Sequence, residues 1–566
     1  MRSSGMRGAR RVALLCGLFA ACVAGARPAA ADVASDHPAA ILVFPKLIVE
    51  TSQGLDTLVR ISNVSNTPIN VYCFYVDATP QCSLGLPNVT SCFPDQLACF
   101  GTFQGSPVTG TCLAQWQETD FLFRLTQDQP TGWLVSQGEG VSCAPLGLCS
   151  NDGTTTCKSD TDCGAGNHCS RAPCLPLTGS TGNSGAVPLS PEDPFIGELK
   201  CIAVDEGLAP VARNDLIGET LIGRQEAGPK ESIEVAGYNA IGIPALINTC
   251  QANNTCSLTG TPCQGDRDCA PTNNRDNTLV LGGPASAAEY QGCPNILILD
   301  HFFDGAVDPL VTNSCQPDGT CSVSGTPCIN DNQCNDNICL PDNTCSVTGT
   351  ACTTPADCDN TCVTVNTCTM GTCSVTAGTC AGNGDCPHNF CTLSNEHCLT
   401  QSDCSDPRFR TRVVTNLTLV PCTEDFENQR PEISKTTAQF LVFNEFEQRF
   451  STSKGVECFE EIRLSDIDSG LDNNQNDRSI FSVGVEGTLT GQTRIQGVVD
   501  QGAMVAGGGN ALLGVAEEFR CSGPEYQFPL CGFVDNPDKL VSATAKNLHF
   551  QGLRPQPDFI YLPQQQ

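Results

Sequence analysis

The pattern of apolar and polar positions along most of the chain is that of short β-strands. Residues 57–62 alternate between the two kinds, and residues 41–44 and 47–49 form brief apolar runs. The sequence Ser-Asn-Thr-Pro at residues 65–68 marks a turn before another strand at 69–76. Short strands separated by turn signals predict a mainly β fold. Further strands are predicted at residues 121–125, 132–136, 197–204, 295–299, 412–420, 438–443, 456–464, 480–485, 488–497 and 512–519.

The strand–turn–strand unit at residues 57–76 is similar to the opening of many secreted immunoglobulin-like sandwiches. We therefore predict one or two immunoglobulin-like β-sandwiches, interrupted by disulfide-rich, loop-dominated inserts. Residues 58–63 also align with residues 439–444, an echo that duplication and chance explain about equally well. Helical periodicity is scarce, and only residues 208–222 are predicted to be weakly helical.

The first 31 residues have the pattern of a secretory signal peptide. Four arginines precede an apolar stretch at residues 12–25, and three alanines stand just before Asp32. The apolar stretch is too short and wrongly flanked for a membrane span. A lipoprotein signal acylated at Cys22 is the less favoured alternative, because Phe19 stands where Leu or Val is usual. We expect an exported protein, extracellular or at the cell surface, with the periplasm as an alternative.

The charge balance narrows the range of partners. The chain has 30 Lys+Arg and 61 Asp+Glu, and removal of the signal would deepen its net charge from −31 to −36. So acidic a chain repels phosphate backbones, and we therefore expect no nucleic-acid partner. No later segment has about 18 consecutive apolar residues, so no transmembrane segment is predicted.

The 39 cysteines are concentrated in three segments. Residues 143–174 hold six, residues 250–269 hold four and residues 315–404 hold sixteen. Each count is even, as expected for disulfide sets that close locally in an exported protein. Eleven further cysteines lie outside these segments and the signal, so one of them is free, intermolecular or paired with an insert.

The third segment is a repeat. Cys321-Ser-Val-Ser-Gly-Thr-Pro-Cys328 recurs, with small changes, from Cys345 and Cys373, and the second segment contains a copy that begins at Cys256. Between residues 314 and 406 there are sixteen cysteines and only twelve Val, Ile, Leu, Met or Phe. Such a segment cannot bury enough apolar surface to offset chain entropy, so disulfides must stabilise it. The chain has no C-x-x-C pair of the kind that zinc sites use, which also favours disulfides.

The spacing C-x6-C-x5-C-x3–5-C resembles the cysteine-rich repeats of uncharacterised secreted bacterial proteins. It is also loosely similar to the Dickkopf-type cysteine-rich module, and residues 157–169 are the nearest stretch. The resemblance covers about 130 residues and implies a disulfide-rich exported module, with no function attached.

β-like sequence resumes after each cysteine-rich segment, so these segments are predicted to be insertions at loop tips. The predicted organisation is a signal at 1–31, β regions at 32–142, 186–248, 271–312 and 407–566, and cysteine-rich inserts at 143–185, 249–270 and 313–406.

The chain lacks the sequence motifs of familiar catalytic sites. It has no HExxH, GxSxG, Walker or dinucleotide-binding motif. His301, between Asp300 and Asp304, is the best remaining candidate for metal or acid–base chemistry. The simpler interpretation, which we favour, is a strand-end turn with Phe302 and Phe303 in the core. No catalytic or cofactor-binding residue is therefore predicted.

One acidic stretch has the composition of a calcium loop. Asp466, Asp468, Asp472 and Asp477 place several carboxylates within twelve residues, and calcium binds six to eight oxygens. Leu471 stands where an EF-hand requires glycine, so an EF-hand is excluded. A calcium site in a loop between strands is the hypothesis, and a solvated acidic hairpin loop is the alternative.

Three functions remain open at this point. The leading hypothesis is a secreted or cell-surface, non-enzymatic protein that acts in adhesion or protein binding through its disulfide-rich inserts on a β-sandwich body, with an extracellular protein or glycan as its partner. The alternatives are an extracellular hydrolase or glycan-active protein with a carboxylate site, and a structural coat or matrix component.

Overall fold

A computed structural model describes the chain at residues 35–84, 98–138, 187–225, 233–265, 277–306, 412–468, 479–498, 511–521 and 540–563, with short gaps inside some of these ranges. A few single residues and short strands are described between them. The predicted signal, Asp472, Asp477, and most of the first and third cysteine-rich segments lie outside the described residues.

Antiparallel strands make up most of the described chain, which confirms the predicted mainly β class. The strands of the first half are β1 (Ile41–Val49), β2 (Leu55–Asn63), β3 (Ile69–Asp77), β4 (Pro80–Cys82), β5 (Ala98–Phe103), β6 (Ser106–Ala114), β7 (Gln117–Leu125), β8 (Pro130–Leu134), β9 (Val141–Ser142), β10 (Gly147–Cys149), β11 (Thr156–Cys157), β12 (Cys169–Ser170), β13 (Leu175–Pro176), β14 (Phe195–Val204), β15 (Leu216–Gln225), β16 (Ile233–Asn239) and β17 (Ile241–Ile243). The second half has β18 (Thr278–Leu281), β19 (Pro294–Phe302), β20 (Cys362–Val363), β21 (Cys368–Thr369), β22 (Thr372–Cys373), β23 (Phe390–Cys391), β24 (Arg412–Pro421), β25 (Glu424–Asp425), β26 (Lys435–Asn444), β27 (Arg449–Glu457), β28 (Glu460–Arg463), β29 (Thr490–Val498), β30 (Leu512–Cys521), β31 (Leu540–Asn547), β32 (His549–Leu553) and β33 (Asp558–Tyr561).

The two largest described sheets of the first half form its body. Sheet 1 has the order β17–β1–β14–β3–β7 and sheet 2 the order β16–β15–β2–β8. β2 alternates between buried and more exposed positions, whereas β1 and β14 are buried at every position. Sheet 1 is therefore covered on both faces at β1 and β14, which explains why these strands are largely apolar, whereas its edge strand β7 alternates between buried and exposed positions.

The second half has two large sheets, besides a smaller one of order β18–β33–β25. Sheet 3 has the order β28–β24–β30–β31 and sheet 4 the order β27–β26–β29–β19–β32. One face of sheet 3, with Val414 and Val515, shares a hydrophobic cluster with sheets 1 and 2. The opposite face, with Leu417 and Ala516, shares a second cluster with sheet 4. The four sheets are therefore stacked in the order 2–1–3–4; the immunoglobulin-like detail and the domain boundaries stay predictions.

Two sequence-based assignments were wrong. Residues 208–222 were predicted to be weakly helical, but β15 begins at Leu216 and pairs with both β2 and β16. Cross-strand pairing on both sides outweighs a weak local helical pattern. Residues 480–485 were predicted to be a strand, but they contain a turn and the start of a short helix, α1 (Val483–Glu486). Phe481 is fully buried there and packs at the end of sheet 4 against Phe440.

Two disulfides fasten the body of the protein. Cys73 pairs with Cys201 across the neighbouring strands β3 and β14. Cys293, just before β19, pairs with Cys422, just after β24, over a sequence separation of 129. The second bond joins the two ends of the stretch of chain that contains the third cysteine-rich segment.

Candidate functional site

An open groove lies where β19 ends beside β29 and β26. Its volume is about 560 Å³, within the range of small-molecule sites. We call it the Asp300 groove; it is lined by Asp300, His301, Phe302, Phe443, Asn444, Glu445, Thr490, Gly491, Gln492, Glu518 and Lys546.

His301, the sequence candidate for acid–base chemistry, is held as a buried, neutral ring. Its Nε2 lies 2.8 Å from the Thr493 hydroxyl and its Nδ1 lies 3.0 Å from the Phe302 carbonyl oxygen. Burial lowers the pKa of His301 to about 4, so the imidazole carries no charge at neutral pH. Both ring nitrogens are already occupied, which supports the structural interpretation of this histidine over a catalytic one.

Asp304 has a structural position in the described chain. It is fully buried, and its two carboxylate oxygens accept hydrogen bonds from the backbone N–H groups of Thr415 and Ser465, both at 2.9 Å. The neighbouring Phe303 is fully buried and Phe302 is half-buried. Asp304 thus joins the end of β19 to sheet 3 and does not reach the groove beside Asp300.

Fixed polar groups line the floor of the Asp300 groove. Lys546 Nζ donates to Glu518 at 2.8 Å and to the Asp300 carbonyl oxygen at 2.7 Å. The Gln492 amide donates to the Asp300 carboxylate at 2.9 Å, and Thr490 donates to Glu445. Carboxylates, an ammonium group and half-buried phenyl rings therefore stand around one concave surface.

The predicted calcium loop is only partly described. The Asp468 carboxylate accepts hydrogen bonds from the Ser479 hydroxyl and from the Ile480 backbone N–H at 2.9 Å. Asp466 lies 3.7 Å from Arg463. Asp468 thus fixes the return of the chain after the loop, and the calcium hypothesis at Asp466, Asp468, Asp472 and Asp477 stays a prediction.

The interface between sheets 1 and 3 contains a buried lysine that sequence reasoning missed. Lys46 lies at the irregularity in β1, and its ammonium group donates to Glu461 at 2.6 Å and to Glu517. Its side chain is 3% exposed and that of Glu517 is fully buried. Burial alone would lower the pKa of Lys46, but Glu461 and Glu517 outweigh it and raise the pKa above its ordinary value.

A second buried lysine repeats this arrangement on β14. Lys200 Nζ lies 3.0 Å from Glu198, 3.1 Å from Glu424 and 3.2 Å from the Pro421 carbonyl oxygen. Burial, and then repulsion from Glu424, raise the pKa of Glu198 well above its ordinary value. Each lysine thus holds two glutamates. A lysine inside a largely apolar strand was the sequence signal for both clusters.

The buried carboxylates predict that the protein is more stable in mild acid than in mild alkali. Burial raises the pKa of Asp77 and of Asp304 to about 6. These groups bind protons more tightly in the folded than in the unfolded state, so their stabilisation is present at low pH and is lost as the pH rises through the folded pKa. The pKa of His301 is lower in the folded than in the unfolded protein. His301 therefore reduces stability as the pH falls below its unfolded pKa. Burial raises the pKa of Glu289 and Glu486 to about 7 in the same sense, so between pH 6.5, where His301 contributes little, and pH 8.5 we expect Tm to fall by about 2 °C. Calorimetry across this range checks it, and a higher Tm at pH 8.5 would contradict it.

The described cysteines are paired as the sequence predicts, with one exception. The second insert has the bonds Cys250–Cys263 and Cys256–Cys269, and sulfur atoms form its small buried cluster. Outside the inserts, the remaining bonds are Cys82–Cys99, Cys92–Cys112 and Cys521–Cys531. Among the described residues Cys458 is the free cysteine, which identifies the unpaired member of the odd set of eleven.

Cys458 is expected to be unreactive in the native protein. Its thiol is buried, and burial followed by the nearby Glu424 raises its pKa far above the ordinary value, so the nucleophilic thiolate is suppressed. Iodoacetamide should leave the peptide that contains Cys458 unmodified in native protein and alkylate it fully in denaturant without reductant. Mass spectrometry of that peptide measures the difference, and rapid native alkylation would contradict the prediction.

The strands β4, β5 and β6 form a separate three-stranded sheet that carries two of these disulfides. β6 lies between β4 and β5, and we call this the stapled sheet. Phe100, Phe103 and Leu113 are each more than half exposed on it. Phe100 of β5 lies opposite Thr109 of β6. Thr109 and Leu113 are an even number of residues apart in β6, so Phe100 and Leu113 point to the same face of the sheet.

In comparisons with known proteins, no family model, no curated protein and no solved structure matches the chain. Within the described ranges, no helix has the length and apolar content needed to cross a membrane.

Proposed function

We propose that this chain is a secreted or cell-surface, non-enzymatic protein that binds other extracellular macromolecules through disulfide-fixed projections. The observation that carries the proposal is the stapled sheet, where two disulfides hold large apolar side chains in solvent. Rigid loops lose little conformational entropy on binding, and exposed aromatic residues supply contact area.

The same bonds support an extracellular compartment. Disulfides persist in oxidising environments. Sheets 1 to 4 already have their own hydrophobic clusters. The bonds in the stapled sheet and in the second insert therefore fix segments that lie away from that core. We include the cysteine-rich inserts, on the strength of their resemblance to secreted bacterial repeats, in the binding surface.

The test compares the wild-type protein with a Phe100→Ser, Phe103→Ser, Leu113→Ser variant. Both are applied to an array of immobilised extracellular proteins and to a glycan array. We expect the wild type to bind at least one protein on the array and the variant to bind it at least about tenfold more weakly. The matched control is Val235→Ser, Ile247→Ser, Val541→Ser, which removes three exposed apolar side chains elsewhere. Equal loss in both variants, or binding to glycans alone, would overturn the proposal.

A glycan-active protein is the second candidate, and the Asp300 groove is the observation that favours it. Asp300, Glu445 and Glu518 offer carboxylates beside two half-buried phenyl rings, a combination that suits sugar hydroxyls and sugar faces. Glu445→Gln should then weaken retention on the glycan array, and release of reducing ends would identify a hydrolase. No change in glycan retention or cleavage would remove this candidate.

A further inference from the structure

The outer face of sheet 4 is open to solvent. Phe440, Val442 and Ile495 point into the hydrophobic cluster that sheet 4 shares with sheet 3, so the alternate positions of β26 and β29 point outward. We call the outward positions of β26, β27 and β29 the sheet 4 face; it includes Gln439, Phe443, Arg449, Gln492, Arg494 and Gln496. These side chains are exposed, apart from the half-buried Phe443 and Gln492.

Two arginines of the sheet 4 face have no carboxylate partner. Arg449 and Arg494 are both exposed, and neither forms an ion pair within the described chain. The other exposed arginines of the described ranges are Arg60, Arg124 and Arg430, and each of them pairs with a carboxylate. In a chain with 61 acidic and 30 basic side chains, two unpaired arginines on one face indicate a site for an external anion.

Phe443 lies between the two arginines. It is directly opposite Arg449 in the pairing of β26 with β27, and the Arg494 guanidinium lies over its ring, 5.6 Å from the ring centre. This cation–π contact restrains the Arg494 side chain. Because β27 and β29 flank β26, the two arginines stand about 10 Å apart across the sheet, so one extended ligand can contact both.

Amide side chains extend the same surface. Gln439 lies directly opposite Gln496 in the pairing of β26 with β29, one turn of the alternation beyond Arg494. An amide supplies both donors and an acceptor, as vicinal hydroxyls require, and the Phe443 ring supplies an apolar surface. The face therefore suits a ligand that combines hydroxyl groups and an apolar side with negative charge.

The acidic side chains of the sheet 4 face do not neutralise the two arginines. Asp300, at the edge towards the Asp300 groove, accepts a hydrogen bond from the Gln492 amide at 2.9 Å, and Glu457 pairs with Lys435 at 3.3 Å. The described face is thus left with an excess of positive charge on a chain whose net charge is −31. Because the rest of the chain repels polymers of high negative charge density, this local excess favours a ligand with spaced carboxylates over a phosphate polymer.

We propose that the sheet 4 face binds an acidic glycan, with Arg449 and Arg494 pairing with its carboxylates and Gln439 and Gln496 with its hydroxyls. A guanidinium group matches a carboxylate with two parallel hydrogen bonds, which an amide cannot supply. The site is separate from the stapled sheet and does not depend on binding there. It adjoins the Asp300 groove, but its recognition groups are arginines and not carboxylates.

Titration calorimetry of the full chain with an oligogalacturonate tests the proposal, and the methyl ester of the same oligomer is the matched uncharged ligand. We expect the wild type to bind the acid at least about tenfold more tightly than the ester, and the preference to weaken with added salt. Arg449→Gln with Arg494→Gln should abolish this preference. Both side chains are exposed, so the variant should fold, as far-UV circular dichroism can check.

The matched control is Arg60→Gln with Arg124→Gln. These arginines are also exposed but already have the partners Glu219 and Glu206, so the control should bind the oligogalacturonate like the wild type. The stapled-sheet variant with three serines should also bind it like the wild type. Failure of the stapled sheet to bind proteins would therefore leave this result unchanged.

Four results would overturn the proposal. The first is unchanged affinity in the Arg449 and Arg494 variant, or an equal loss in the Arg60 and Arg124 control. The second is equal binding of the acid and its ester, because the charge would then not be recognised. The third is a loss in Glu445→Gln that the arginine variant does not share, which would move the glycan to the Asp300 groove.

The fourth result is a different occupant. Binding of a polyglutamate peptide in place of the oligogalacturonate would assign the sheet 4 face to an acidic protein. Self-association in sedimentation experiments that the Arg449 and Arg494 variant abolishes would assign it to a second copy of this acidic chain.

Discussion

Replacing Lys46 with methionine is expected to lower the free energy of unfolding by about 3–5 kcal/mol. Methionine keeps an unbranched apolar stem but leaves Glu461 and Glu517 facing each other without a cation. Burial raises the pKa of Glu517, and one oxygen of each glutamate already lacks a hydrogen-bond donor. Urea unfolding followed by circular dichroism and fluorescence measures the loss.

The control for Lys46→Met is Lys454→Met. Lys454 lies 3.2 Å from Glu460, but its side chain is 35% exposed, so we expect a loss below about 1 kcal/mol. A triple variant, Lys46→Met with Glu461→Gln and Glu517→Gln, should recover much of the stability because it leaves no buried charge. Equal stability of the two single lysine variants would contradict the interpretation of the Lys46 cluster.

Removal of the Cys293–Cys422 disulfide, as Cys293→Ala with Cys422→Ala, should cost about 5 kcal/mol. The bond closes a stretch of 129 residues, and both cysteines are buried. In the chain-entropy treatment a loop near this length contributes about 5 kcal/mol and a loop of about ten residues about 3 kcal/mol. Cys521→Ala with Cys531→Ala, which opens a separation of 10, is therefore the matched comparison.

The same urea assay reports both disulfide variants, and peptide mapping of the unreduced protein verifies which bonds remain. A larger loss in the Cys521–Cys531 variant would mean that loop closure is not the main effect of the Cys293–Cys422 bond. Unfolding confined to sheets 3 and 4 would show that the bond acts chiefly by holding β19 beside β24.

The two halves are joined by ionic groups as well as by apolar packing. Lys46 and Lys200, both on sheet 1, each reach glutamates of the second half, and stacked rings of Phe74 and Phe426 cross the same boundary at 4.3 Å. Buried ion pairs add little net stability but penalise alternative packings, because a mispaired charge would remain buried. We infer that these clusters fix how sheet 1 meets sheet 3.

Local sequence was sufficient for most of the strands. Alternation at residues 57–62, the apolar runs at 41–44 and 47–49 and the predicted strand at 197–204 reflect the faces that each strand buries, and the structure places β2, β1 and β14 there. β15 was missed because its pairing with two neighbours, rather than its own periodicity, keeps it extended.

The candidate sites could not be predicted in the same way. His301 was singled out because its neighbours in sequence are acidic, yet its partners in space are Thr493 and a backbone carbonyl. Arg449 and Arg494 share a face with Phe443 only because β27 and β29 both pair with β26. An arginine in a chain with 61 acidic residues gives no signal of its own, because the fold decides whether a carboxylate lies beside it.

The sequence by itself determined the β class, the disulfide chemistry of the described cysteines and the presence of an odd cysteine, because these depend on residue type and short-range spacing. Only the tertiary structure decided that the odd cysteine is Cys458, that Lys46 and Lys200 are buried between glutamates, and that Asp304 is a structural link. The physical reason is that burial and charge pairing depend on which sheet faces which, and that arrangement is set by contacts between residues far apart in the chain.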